Sequence, residues 1–162
     1  MVVLANIRHS VSRPANFSWV IEGKLAGSAR PENEAQLRWL RSKGIRAVVC
    51  LNMERPLDEE EVKALGFEYV FIPVRDFAAP QLGDFERFVG FVGEMLGQGK
   101  PVVVCCGAGI GRTGTMLAAY LVSLCSSPEE ALLEVERKRG VGVESDAQRE
   151  AVYGFARQRG KC

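Results

Sequence analysis

The sequence has one histidine, His9, in 162 residues. It sits in the N-terminal segment, far along the chain from the cysteine and glycine stretch at 102–115. It cannot be the close partner of a Cys–His pair unless that segment folds back over the site, and its simpler reading is an exposed surface side chain. No charge of one sign dominates: 21 Lys and Arg stand against 20 Asp and Glu, a formal net charge of +1. That balance gives no global reason to expect nucleic acid or an anionic membrane as a partner. No apolar run approaches the roughly 20 residues that span a bilayer. The opening stretch has a short apolar run with no basic region before it, so it does not read as a signal peptide. Pairs of C-x-x-C are absent, which argues against structural zinc or any other metal site. The cysteines number five, at 50, 105, 106, 125 and 162. An odd count matching no small disulfide framework, with no secretory signal, favours a reducing, cytoplasmic setting. Cys125 and Cys162 then read as core and tail residues. Repeats, low-complexity tracts and linkers are also missing. The length suits one domain over 1–162, with 1–15 a candidate flexible segment.

What is present is an alternation of strand and helix patterns. WVIEGKLA at 19–26 mixes apolar and polar residues and reads as a first strand or hairpin. PENEAQLRWLRSK at 31–43 puts Leu37, Trp39 and Leu40 on one helical stripe, with Pro31 at a permitted first position and Gly44 as the stop. IRAVVCL at 45–51 and FEYVFIP at 67–73 read as strands, separated by a short acidic-start helix at 58–65. Residues 82–96 repeat apolar side chains at helical spacing. PVVVC at 101–105 is the most apolar strand. Residues 113–125 are apolar nearly all round, as a central helix would be. Ser127-Pro128-Glu129-Glu130 is a capping box opening a helix to about Arg139, and Ser145 opens a last helix in the same way. Continuous apolar strands separated by helices indicate an α/β fold: a mostly parallel sheet of four to five strands, flanked by helices. Ligands in such folds bind beyond the carboxyl ends of the strands.

One such end reads VVVCCGAGIGRTGT, at 102–115. Glycines at 107, 109, 111 and 114 let the backbone come close to a ligand. A strand, a glycine loop and a helix start aim several amide N–H groups at one point, and the helix dipole adds positive potential there. Arg112 supplies a planar fork for two phosphoryl oxygens. The nucleoside-triphosphate signature and the dinucleotide fingerprint are both absent. Spacing then separates the two cysteines. Only Cys106 is followed by five residues, an arginine and a threonine. A loop of that length wraps three phosphoryl oxygens over the sulfur, and its donors stabilise a nucleophilic thiolate.

The stretch from Cys106 to Thr115 resembles the active-site signature of the cysteine-dependent protein phosphatases. The likeness is closest to the small atypical dual-specificity phosphatases, the low-molecular-mass, VHZ-like group and its archaeal relatives. It extends over nearly the whole chain. Asn16-Phe17-Ser18-Trp19-Val20 is similar to that group's opening segment. Asp76-Phe77 with Pro80 is similar to its general-acid loop, and Glu144 with Gln148 to its late glutamine-bearing segment. The resemblance implies that Cys106 attacks phosphorus and forms a phosphocysteine intermediate. Gly107, Ala108, Gly109, Ile110 and Gly111 bind the phosphate with Arg112, and Thr113 donates its hydroxyl to the sulfur. No cofactor is implied, and a monomer is expected.

Several residues keep two readings at this point. Thr113 also suits a helix N-cap. Asp76 is the best-placed proton donor for the leaving group, or else it pairs with Arg75 or forms a turn. Asp58 and Asp84 read as helix starts. Gln148 either positions the hydrolytic water or closes a capping box with Ser145. Cys105 stands where the resemblance calls for a histidine. It reads chiefly as a small core residue, with a looser loop as the consequence, and Cys50 is a candidate redox partner for Cys106. The loop has no Lys or Arg before Arg112, unlike the resembling phosphatases that act on polyphosphorylated inositol lipids. A phosphorylated protein or peptide is therefore the expected substrate, phosphotyrosine first and phosphoserine or phosphothreonine second. The alternatives are a phosphate-binding module with weak turnover and a phosphatase of small molecules or RNA 5′-phosphates.

Overall fold

The computed structural model describes residues 13–160 and 162. His9 lies outside the described residues. The elements run β1 (Ser18–Ile21), β2 (Leu25–Ala29), α1 (Glu34–Ser42), β3 (Ala47–Asn52), α2 (Glu59–Ala64), β4 (Glu68–Val74), α3 (Leu82–Gly97), β5 (Val102–Cys106), α4 (Gly111–Ser123), α5 (Pro128–Arg139) and α6 (Asp146–Arg159). The strands form one sheet in the order β1-β2-β5-β3-β4. The β1–β2 hairpin is antiparallel, and every other pairing is parallel. This is the α/β sheet expected from the apolar runs.

The most apolar strand takes the central place. β5 pairs with β2 on one side and β3 on the other, and all its residues are buried. Alternating side chains divide the interior into two clusters. One holds Val102, Val104 and Cys106 against α3 to α6, including Phe85, Phe88, Met116, Leu117 and Phe155. The other holds Val103, Cys105, Val48 and Cys50 against Leu37 and Leu40 of α1 and Val62 of α2. α4 lies wholly inside the first cluster, with every residue from Gly111 to Val122 buried.

The helix ends follow local chemistry. Asp58 accepts from Glu61 N at 3.0 Å and caps α2. Asp84 accepts from Gln81 N at 2.9 Å in the capping box of α3. The capping box at Ser127 and Glu130 opens α5 as its spacing indicates. α1 begins later than Pro31, because Asn33 accepts from Gln36 N at 2.9 Å and provides the side-chain cap that proline cannot. Cys125 and Cys162 form a disulfide across 37 residues, so they are not the separate core and tail residues expected. Cys125 follows α4 with φ at 77°, and α6, packed against α4, returns the tail beside it. The spacing of two distant cysteines carries no trace of that return.

Candidate active site

Cys106 ends β5 and is 2 % exposed. Its Sγ receives a hydrogen bond from Thr113 Oγ1 at 3.1 Å. Thr113 is two residues inside α4, and the N-cap is Ile110, which makes no side-chain cap. The N-cap reading of Thr113 therefore falls, and its hydroxyl is directed at sulfur instead. The first-turn amides of α4 are uncapped by Ile110, which leaves donors for an oxyanion. Gly111 N donates to Glu144 Oε1 at 2.8 Å.

The loop's outward-facing carbonyls are held from behind. Gly107 O accepts from Arg30 N at 3.2 Å. Ala108 O accepts from Asn16 Nδ2 at 2.7 Å. Gly109 has φ of 76°, and a side chain there would run into the backbone of Ser28 and Ala29. Only glycine allows the loop to rest on the end of β2 in this way.

Arg112 is 2 % exposed. Its Nη1 and Nη2 each donate to Glu54 at 2.8 Å, a fork-to-fork pair, and Nη1 also donates to Val74 O at 2.9 Å. Asp76 Oδ1 is 3.2 Å from Nη2. Burial opposes the charge on Arg112, but the bonds to Glu54 and the nearness of Cys106 outweigh it and raise its pKa. The same contact holds the Glu54 carboxyl below the usual range. Glu54 is a functional candidate that sequence reasoning missed. Its one local trace is Asn52, whose Oδ1 accepts from Arg55 N at 2.9 Å and turns the chain after β3.

Asp76 does not pair with Arg75. Its side chain is about half exposed and reaches Arg112 instead. The loop after it is tied to the start of α6. Ser145 Oγ donates to Phe77 O at 3.0 Å, and Gln148 Nε2 donates to Ala78 O at 3.2 Å. Gln148 is fully buried. Its Oε1 accepts from Glu144 N at 2.8 Å, one residue before the cap, so the Ser145–Gln148 capping box is not closed. Gln148 joins the Asp76 loop to Glu144 instead.

Cys105 and Cys50 are register partners on β5 and β3, both fully buried. They face the cluster away from Cys106. Cys50 is therefore the neighbour of Cys105, and the expected Cys50–Cys106 partnership is not the arrangement found. The pair titrates together. A hydrogen bond from Cys105 favours a thiolate on Cys50. That same bond, followed by burial, pushes Cys105 well above the thiol range.

A thiol under uncapped helix amides, a buried arginine and a nearby carboxylate make a phosphoryl-transfer site, and comparison with known proteins agrees. Residues 14–156 match the family described as PTP-SAK, Swiss Army Knife protein, DSP-PTPase phosphatase domain. The chain belongs to that family and is a cysteine-dependent protein tyrosine/dual-specificity phosphatase. It is 30% identical over 141 residues to phosphatidylglycerophosphatase and protein-tyrosine phosphatase 1 of Rattus norvegicus, covering 82% of this chain and 73% of that one. Human dual specificity protein phosphatase 12 is 28% identical over 113 residues, covering 69% and 32%. The crystal structure of Tk-PTP in the active form superposes with a TM-score of 0.81 at 32% identity, covering 88% and 97%. PTPMT1 in complex with PI(5)P gives 0.80 at 25%, covering 88% and 95%.

Proposed function

We propose that the chain hydrolyses phosphomonoesters on proteins, phosphotyrosine first, through a phosphocysteine intermediate. The observation that carries this reading is the Thr113 hydroxyl at 3.1 Å from Cys106 Sγ, at the floor of an amide-lined loop. In the reading, the phosphate settles on the amides of Gly107, Ala108, Gly109 and Ile110, and takes that of Gly111 by displacing Glu144 Oε1. Arg112, fixed by Glu54 and Val74 O, binds its oxygens. The thiolate attacks phosphorus in line with the leaving oxygen. The phosphate displaces the Asp76 carboxylate from Arg112 Nη2; half exposed, the freed carboxylate takes a proton from solvent and, as the acid, passes it to the leaving oxygen as the P–O bond breaks. In the second step Thr113 stabilises the departing thiolate. Gln148, bound to both Glu144 N and Ala78 O, sets the loop over the attacking water. Exposed Phe77 and Met53 follow Asp76 and precede Glu54, which suits an apolar group next to the phosphate.

A second reading has one observation in its favour, the likeness to PTPMT1 with PI(5)P: a phospholipid headgroup would use the same cradle. The absence of Lys or Arg between Cys106 and Arg112 favours a single phosphate on protein. Weak turnover and RNA 5′-phosphate substrates rank below both. As a working unit we take one catalytic domain over 1–162, acting as a cytoplasmic monomer in which the Cys125–Cys162 bond is kept reduced. No helix among the described residues is long and apolar enough to cross a membrane. The deciding experiment compares phosphotyrosine peptides, phosphoserine peptides, phosphoinositides and p-nitrophenyl phosphate. Phosphopeptide turnover should exceed lipid turnover by at least tenfold in kcat/KM, and the reverse order would overturn the protein-substrate reading.

A further inference from the structure

Arg139, the last residue of α5, has an unusual position for a cation. Its Nη1 is buried with no hydrogen-bond partner, the one such side-chain nitrogen or oxygen among the described residues. Nε donates to Ser18 Oγ at 2.8 Å and Nη2 to Asn16 O at 2.9 Å. No carboxylate joins it in the ion pairs of the described residues. A buried cation without a counter-charge is costly, so its location calls for a reason.

Gly27 and Thr113 show where the charge sits. A Cβ added to Gly27 would stand 2.9 Å from the guanidinium carbon and 2.6 Å from Thr113 Cγ2. Arg139 therefore lies beside the residue whose hydroxyl meets Cys106 Sγ, in a gap kept open by glycine on β2. Burial lowers its pKa to about 10, with Cys106 acting in the opposite sense, so it stays charged at neutral pH. Nη1 is sealed from solvent and cannot serve a substrate anion. The same guanidinium holds Asn16, whose Nδ2 fixes Ala108 O.

We propose that Arg139 is a positioning residue for the Cys106 thiolate: it sets an uncompensated positive charge behind the sulfur and, through Asn16, braces the phosphate loop. In that way it offsets the histidine absent at position 105. This rests on Cys106 being the nucleophile. The groups around the sulfur are Arg112 and the Thr113 hydroxyl on α4, Cys105 on β5, and Glu54 and Asp76 through Arg112, with Glu144 at Gly111 N. Around Arg139, Arg13 lines the same cleft, and Glu136, Arg137 and Lys138 precede it on α5.

The test is the pH dependence of iodoacetate alkylation at Cys106, located by peptide mapping. Arg139→Met should raise the midpoint by about one pH unit, the scale of one nearby charge, and Arg139→Lys should recover most of the shift. Asn16→Ala keeps the charge; it should weaken inorganic phosphate binding about fivefold, one hydrogen bond's worth, without moving the midpoint. If Arg139→Met does not fold, Arg139→Gln, which keeps an amide donor and removes the charge, should shift the midpoint the same way. An unchanged midpoint in a variant with a cooperative melt overturns the proposal. The readout follows the sulfur and needs no turnover. Failure of the phosphatase reading is distinguishable: it would appear as p-nitrophenyl phosphate hydrolysis surviving Cys106→Ser.

Discussion

Cys105 and Cys106 share a strand, and the pleat sends them to opposite faces of the sheet. Behind Cys105 lies a closed apolar layer, where its neighbour is Cys50 and its hydrogen-bonding possibilities end in another thiol. Behind Cys106 lies the start of α4, with Thr113 at its sulfur and Arg112 beside the loop. The two side chains are equally small and almost equally buried. Burial alone therefore does not make a cysteine reactive. On the proposed reading the donors aimed at Cys106 do, and the start of α4 lies on its face of the sheet only.

The most direct way to break this contrast is to change each sulfur in turn. Cys106→Ser should reduce p-nitrophenyl phosphate hydrolysis by on the order of 10^4-fold or more, as loss of a nucleophile does. Cys105→Ser should leave kcat within a few-fold and cost stability instead, because a hydroxyl would be buried opposite Cys50. Equal losses from the two changes would erase the distinction between the faces. Asp76→Asn comes next. On phosphotyrosine peptides it should lower kcat by about 10^2- to 10^4-fold, the span of general acid catalysis. On p-nitrophenyl phosphate the loss should be much smaller, since that leaving group needs little protonation. A uniform loss across both substrates would assign Asp76 to Arg112 placement rather than proton transfer.

Much of this arrangement can be read from local pattern. Apolar runs mark the strands, capping residues mark most helix starts, and counting five residues to Arg112 separates Cys106 from Cys105. Period-two alternation alone puts the two cysteines on different faces. The missed features all depend on long-range return of the chain. Glu54 meets Arg112 from 58 residues away, and Asn16 meets Ala108 from 92. Glu54 sits in no recognisable spacing, and the segment that opens at Asn16 gives no sign of its partner, because nothing local dictates which loops converge at a sheet's carboxyl edge. The Cys125–Cys162 bond escaped for the same reason, since it depends on how α6 lies along α4.

Glu54 allows a finer test of the nucleophile's face. Glu54→Gln keeps the shape and removes the charge that orients the Arg112 fork. We expect about a tenfold loss in kcat/KM, carried mainly by KM, since one partly exposed ion pair contributes little more. Its pH behaviour has a definite sign. Arg112 holds the folded carboxyl below its ordinary value, and the unfolded one titrates at about 4.3. The stabilisation is therefore present above that value and is lost as pH falls through the folded one. Acid melts of wild type and Glu54→Gln should converge once pH falls below the lowered value of the folded carboxyl. Curves that stay parallel would show that the pair orients Arg112 without stabilising the fold.

The smallest effect concerns Cys105 itself. If the missing histidine leaves the loop loose, Cys105→His should lower the pH at which iodoacetate alkylates Cys106. The structure argues for a shift well under one unit. The position is fully buried against Cys50, so an imidazole must first displace its neighbours, at about 1–3 kcal/mol for overpacking. The loop carbonyls it would steady are already held by Arg30 and Asn16. Cys50→Ala with Cys105→His relieves the crowding and separates the two causes. If the double variant also leaves the alkylation midpoint within a few tenths of a pH unit of wild type, the charge of Arg139 has taken over what the ring would supply. If the midpoint falls by a full unit, the cysteine at 105 is a deficit that these contacts only partly offset, and the two faces of β5 are more tightly coupled than the separation of their clusters implies.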